Sequence, residues 1–246
     1  MSEHRSAARS AAPIFGGEPA PAVWGVGRLV VDGSVTPWPV SQRDIDDEAE
    51  AAVAHLASLG VGSGDFVVIV ALLSEAIHAV PLEKAAGVLD AKYSAGDATA
   101  MDATRTEYLV NQLRPRAVVG VNAAVIAGLH EHGREPGDVF AGVPAVATAD
   151  EVAWRALVDA GLAPRRWAKV GPTSALECAR RSGLHLDGER WEVDVADGEV
   201  VVTNRAARLT PCVRLHAGFA GSIADEPCPC GRPGPRLVPA DPARRQ

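Results

Sequence analysis

An unbroken apolar run, Phe66 to Leu72 (FVVIVAL), constrains the fold of this chain more than any other feature. A strand that is apolar at every position needs cover on both faces, the condition of a parallel strand between layers of helices. Its surroundings fit that reading. Ser41 opens a helix, with Asp44 three residues on in the spacing of a capping box. Ile45, Ala49, Ala52, Leu56 and Leu59 then recur at helical spacing until Gly60. After the run, the pattern predicts helices over 75–90, despite Pro81, and 102–113. A strand over 117–121, a helix over 122–132, a strand over 139–147, a helix over 150–161 started by Asp150, and a strand over 166–170 complete the series. Strands alternating with helices imply an α/β fold, a parallel sheet with crossover helices. Upstream, RLVVDG (28–33) reads as a short strand entering a turn.

The character changes at Gly171. WEVDVADGEVVVTN (191–204) reads as a β-hairpin around Asp197-Gly198, and 210–238 is rich in Pro and Gly with short strands. The expected organisation is a disordered or extended tail over 1–27, an α/β subdomain over 28–170, a smaller β-rich part over 171–238, and a second tail over 239–246.

With 31 acidic and 24 basic residues the formal charge is −7, a poor electrostatic match to nucleic acid or anionic lipid, so neither is expected as a partner. No apolar run reaches the length of a membrane span, and the N-terminus lacks the apolar core of a secretory signal. A cytoplasmic location is expected. Four cysteines in 246 residues are too few for a disulfide scaffold, and their spacing is better read for metal.

Cys178 and His185 are followed by Cys228 and Cys230 in a Cys-Pro-Cys-Gly knuckle. Zinc takes a tetrahedron of thiolates and imidazole, and three cysteines with one histidine would close its shell, making the ion structural. The alternative is a set of unrelated thiols and a surface histidine. Cys212 is left over, placed in a strand as a small buried hydrophobe.

Three segments of the second part resemble phenylacetate-CoA ligases. GPTSALECARRSGLHLDGERWEVDV (171–195) is similar to the stretch running from that family's acidic adenylate-binding motif through Glu-Cys and Gly-Leu-His into a strand. GEVVVTNRAARLTPCVRLHAGFAGSI (198–223) resembles the strand pair and Arg-Tyr-Arg-Thr-Gly-Asp motif that follow, and EPCPCGRPGPRL (226–237) is very close to its Glu-Pro-Cys-Pro-Cys-Gly-Arg segment. SLGVGSGDFVVIV (58–70), LVNQLRPRAVVGV (109–121) and FAGVPAVATADEVAWRALVDAGL (140–162) extend the likeness upstream with less specific motifs. The resemblance implies an adenylate-forming core and zinc at Cys178, His185, Cys228 and Cys230.

It also implies losses. The family's phosphate-binding loop falls on VDGSVTPWPVS (31–41), where Pro37 and Pro39 offer no N–H to a phosphate and Trp38 is bulky. The acidic residue of Gly-x-Thr-Glu is Ser174 here, the ribose-binding Asp falls at Phe219, and the domain carrying a catalytic Lys is expected to be absent. The resemblance therefore implies a protein without ATP-dependent adenylation, whose cleft binds or transforms an acyl or aryl acid-derived small molecule. No ATP cofactor is expected. Near the old adenylate pocket it places His216, Ser174, Thr173, Glu177 and Arg214 as candidate catalytic groups, each of which can equally be a structural residue; so can His78, on the 75–90 helix. The alternatives are an active acyl-CoA ligase with a divergent site and a non-catalytic binding partner of an acyl-activating enzyme. Faces that the family's further parts would cover suggest a homodimer.

Overall fold

The computed structural model describes residues 22–31 and 34–240. Two antiparallel strands, β1 (Val23–Val31) and β2 (Ser34–Ser41), form a hairpin of their own. The Ser41 side chain then caps α1 (Gln42–Ser58), accepting from the Asp44 N–H at 3.2 Å while the Asp44 carboxylate accepts from the Ser41 N–H at 2.8 Å. This closes the expected capping box. β3 (Phe66–Val70), α2 (Ala76–Val88), β4 (Lys92–Gly96), α3 (Ala103–Leu113), β5 (Ala117–Val119), α4 (Ala123–Glu131), α5 (Pro136–Phe140), β6 (Ala145–Thr148), α6 (Glu151–Asp159) and β7 (Arg165–Val170) follow. The chain then turns almost wholly to β: β8 (Thr173–Glu177), β9 (Leu184–His185), β10 (Trp191–Ala196), β11 (Glu199–Asn204), β12 (Leu215–Ala224) and β13 (Arg236–Pro239).

One eleven-stranded sheet runs in the order β10-β11-β12-β13-β9-β8-β7-β6-β5-β3-β4. β4 through β7 pair in parallel, and pairing becomes antiparallel at β7–β8, where Val170 lies opposite Thr173 across Gly171. The chain passes from β3 outward to β4, then back across β3 to β5, so the sheet has a switch point between β3 and β5.

The apolar run reads as it does because both faces of β3 are covered. Val67 and Ile69 pack with α1 and α2, whereas Val68 and Val70 pack with α3 to α6. A third cluster joins the hairpin to the β-rich part: Leu29, Trp38 and Val40 meet Val170, Trp191, Val200 and Leu237.

Four expectations change. Val23–Gly27, assigned to the tail by composition, are the first half of β1; residues 1–21 and 241–246 lie outside the described residues. Ser34–Ser41, read as an interrupted loop, are a strand with Trp38 buried; Asp32 and Gly33 lie outside the described residues. Prolines at alternate positions fit a strand whose missing N–H groups face away from its partner. The strand expected over 139–147 is shorter, because Pro136 starts the single-turn α5 and β6 begins only after Gly142. β4 was not foreseen: KYSAG lies at the sheet edge, with Lys92 and Tyr93 exposed, and carries no apolar signal.

Candidate metal centre and ligand cleft

The hairpin logic of the β-rich part gathers three cysteines and a histidine. Cys178 follows β8, His185 ends β9, and Cys228 and Cys230 sit on the turn before β13, which pairs with β9. Gly231, at φ +82, takes the left-handed conformation this turn requires. The four donor atoms lie within 4.8 Å of one another. Cys178 Sγ is 3.7 Å from Cys228 Sγ, and Cys230 Sγ is 3.4 Å from His185 Nε2.

The donor set fits a tetrahedral ion. With zinc–sulfur near 2.3 Å and zinc–nitrogen near 2.0–2.1 Å, ideal edges are about 3.8 Å between sulfurs and about 3.6 Å from sulfur to nitrogen. His185 Nδ1 is buried with no hydrogen-bond partner among the described residues, so the ring's one oriented side is the Nε2 side facing the sulfurs. Burial, then the charges of Arg232 and Arg236, push this imidazole down to about 4, leaving it neutral and able to ligate at physiological pH. Three thiolates around a divalent ion would carry one net negative charge, which these two guanidinium groups would oppose. Arg236 is itself fixed by Ser182 and by the Glu226 carbonyl at 2.7 Å.

A second feature lies at the carboxyl ends of β5 and β6. A cleft of about 550 Å³ opens between the N-termini of α4 and α6 and the facing strand β12. Val121, Trp167, Ala168 and Phe219 supply apolar wall. Lys169 Nζ binds Glu75 Oε1 at 2.7 Å, and Arg166 Nη1 binds Glu151 Oε2 at 2.7 Å while stacking 4.2 Å over Trp154. Asn122 accepts from the Val125 N–H and donates to the Ala98 carbonyl. Asp150 caps α6 through the Ala153 N–H at 2.9 Å and accepts from the Ala123 N–H, at the start of α4, at 3.2 Å. Gly120 is the tight point beneath, at φ +101 and against the Val70 backbone.

The candidate catalytic residues are not brought together, and none of His216, Ser174, Glu177 and Arg214 lines this cleft. His216, half exposed, contacts Glu199 at 2.9 Å, and the exposed Arg214 donates to Asp194 at 3.3 Å. Glu177 accepts from the Arg166 backbone N–H. Ser174 Oγ lies 3.2 Å from Nδ1 of buried His78, whose imidazole burial and then Lys169 push down to about 3. A void of only about 10 Å³ adjoins that pair, too small for a substrate. Thr173, also a candidate, is buried and donates to Glu48 at 2.7 Å. Phe219 does line the cleft, on the β12 wall.

Sequence reading missed the buried group that fastens α1 to the β-rich part. The Glu48 carboxylate accepts from Thr173 Oγ1, Trp191 Nε1 at 2.8 Å and Arg208 Nη2 at 2.7 Å; Arg208 also lies over the Trp191 ring at 4.7 Å. It missed Glu75, Glu151, Arg166 and Lys169 of the cleft as well. Their signal was available, since they follow or face the carboxyl ends of strands in a parallel sheet, where ligands of such sheets bind.

The chain matches no family model, and no curated protein matches it. Solved structures do share its fold. An open conformation of 2-hydroxyisobutyryl-CoA ligase, in complex with 2-HIB-AMP and CoA, superposes with a TM-score of 0.71 at 19% identity over 89% of this chain and 53% of its own. o-Succinylbenzoate CoA synthetase from Bacillus subtilis gives 0.57 at 12% identity, over 90% of this chain and 50% of its own. The anthranilate CoA ligase AuaEII, in complex with anthranoyl-AMP, gives 0.55 at 11% identity, over 89% and 47%. The chain thus has a fold found in CoA ligases, and it spans about half the length of the ligases it matches.

Proposed function

We propose that this chain is a phenylacetate-CoA-ligase-like protein without ATP-dependent adenylation, whose cleft binds or transforms an acyl or aryl acid-derived small molecule. The observation that carries the reading is the conformation of Ser34–Ser41. Of the segment 31–41 that the resemblance assigns to phosphate binding, residues 34–41 are a paired strand with prolines at 37 and 39 and Trp38 in the core. A loop that wraps phosphates needs free, converging N–H groups, and a strand paired to its neighbour does not present them. Phe219 on the cleft wall, where the resemblance places a ribose-binding carboxylate, supports the same reading.

In this reading Cys178, His185, Cys228 and Cys230 hold a structural zinc, whose chemistry is a closed shell that ties three turns of the β-rich part together. Residues 28–170 and 171–238 act as two parts, each supplying a wall of the cleft, and the protein works in the cytoplasm. A homodimer belongs to the same proposal, and an outward apolar stripe on the hairpin, Trp24, Val26, Val30 and Val35, favours it. Light scattering that finds only monomer removes the dimer and leaves the rest standing.

The central test is nucleotide binding. Millimolar MgATP should leave the melting temperature unchanged, and a panel of aryl and fatty acids should release no pyrophosphate. Pyrophosphate from the unmodified protein with any of these acids would restore an active ligase in place of this reading.

A further inference from the structure

We propose that the cleft selects an apolar or aryl ligand bearing a protonated amine, and disfavours the free carboxylate of the same shape. The inference rests on the small-molecule reading of the cleft and adds the chemical class of its occupant.

The argument is an inventory of charge. Five charged side chains line the cleft: Glu75, Asp150, Glu151, Arg166 and Lys169. Both cations are already engaged at 2.7 Å, Lys169 by Glu75 and Arg166 by Glu151. Arg166 is further held over Trp154. Glu151 takes a second guanidinium, Arg155 at 3.0 Å, from outside the cleft. Three carboxylates thus face two cations, and a ligand carboxylate would approach cations whose charge is already balanced, in a cleft of net negative charge.

Two of the uncharged donors at the start of α4 are taken too. The start of α4 is the feature an anion would use, because its free N–H groups and helix dipole favour negative charge. Here the Ala123 N–H is given to Asp150 and the Val125 N–H to Asn122, whose amide donates to the Ala98 carbonyl. The protein's own carboxylate occupies the anion position.

Asp150 is then the one charged wall residue with no oppositely charged partner among the described residues. Each of its oxygens accepts one backbone N–H, and a carboxylate can accept about four hydrogen bonds, so it retains acceptor capacity. Val121, Trp167 and Phe219 provide apolar surface for the body of a ligand. The cleft volume of about 550 Å³ is in the range of small-molecule sites.

Three probes of one shape separate the possibilities: phenethylamine, phenylacetamide and phenylacetate, titrated by calorimetry into the full chain. Phenethylamine should bind at least ~10-fold more tightly than phenylacetate, with the amide between, about the effect of one charge contact. Asp150→Asn should erase most of that preference. Asparagine caps helices as well as aspartate does, so the fold should survive the change. Phenylacetate binding as tightly as phenethylamine would overturn the inference and leave the small-molecule reading intact. A preference unchanged in D150N would overturn it as well. If none of the three probes binds, the small-molecule reading fails and this inference falls with it.

Discussion

The sulfur atoms of Cys178 and Cys228, fifty residues apart in sequence, lie 3.7 Å from each other. A disulfide would bring them to about 2.05 Å. The observed gap is instead close to the sulfur–sulfur edge of a zinc tetrahedron. Gently purified protein should therefore carry about one zinc per chain by elemental analysis. Cys178→Ser or Cys228→Ser should lower that content sharply. Structural zinc is worth about 10–16 kcal/mol in small peptides that have no other core. Three apolar clusters stabilise this chain independently, so a chelator should lower the melting temperature without unfolding the protein. Metal-free protein with an unchanged melting temperature would remove zinc from the account.

Glu48 and Arg208 test what holds α1 against the strands that follow Gly171. Both side chains are nearly buried and lie 2.7 Å apart. Removing one partner leaves the other charge stranded, at a typical cost of about 3–5 kcal/mol. Arg208→Met and Glu48→Leu should each destabilise by roughly that amount in denaturant titrations. The double variant should be less destabilised than the sum of the two, because neither charge is then left alone. Strict additivity would mean that the pair is not coupled.

This group also marks the limit of what the sequence could reveal. The α1 cap, the β3 run, the hairpin at Asp197-Gly198 and the Cys/His set were legible because each signal is local or carries a distinctive spacing. The turn is a case in point: Asp197 and Gly198 have φ of +50 and +83, as a type I′ turn demands. Glu48, by contrast, meets partners 125 to 160 residues away, and nothing in its own helix distinguishes it from the acidic residues beside it. Ser34–Ser41 misled for a related reason. Its Ser, Thr and Pro read as a loop, while the burial of Trp38 and Val40 against distant strands makes it a strand. Tertiary packing overrode local propensity there.

Stability should fall as the medium is acidified below pH 6.5, through two buried histidines. Burial first, then Arg232, holds His55 at about 3; burial first, then Lys169, holds His78 at about 3. Both lie below the ordinary 6.5, so the unfolded chain takes up protons first as pH drops. The stabilisation is complete above pH 6.5 and is lost progressively toward pH 3. Each histidine contributes a slope of about 1.4 kcal/mol per pH unit in that window. Glu48, raised chiefly by burial despite Arg208, works in the opposite direction above 4.5. Its stabilisation is lost as pH rises, which reduces the net slope. His78→Asn should remove one histidine's share of the acid sensitivity in unfolding experiments between pH 6.5 and 5. An identical pH profile in that variant would mean that His78 is not held neutral by the fold.

Gly120 offers the most local test of the cleft. It follows β5 at the switch point, lines the cleft, and has φ +101, a conformation that side chains rarely tolerate. A Cβ added there would collide with the carbonyl oxygen of Val70, a rigid backbone atom of the neighbouring strand β3. Gly120→Ala must therefore both strain its own backbone, at about 1–3 kcal/mol, and push β5 away from β3. The expected loss is at least about 2 kcal/mol. Gly142→Ala is the matched control, because its Cβ would meet nothing within 4 Å and its φ is not in the left-handed region. That change should stay within about 0.5 kcal/mol. Equal stability of the two variants would show that β3 and β5 are not packed as tightly at the floor of the cleft as this backbone contact requires.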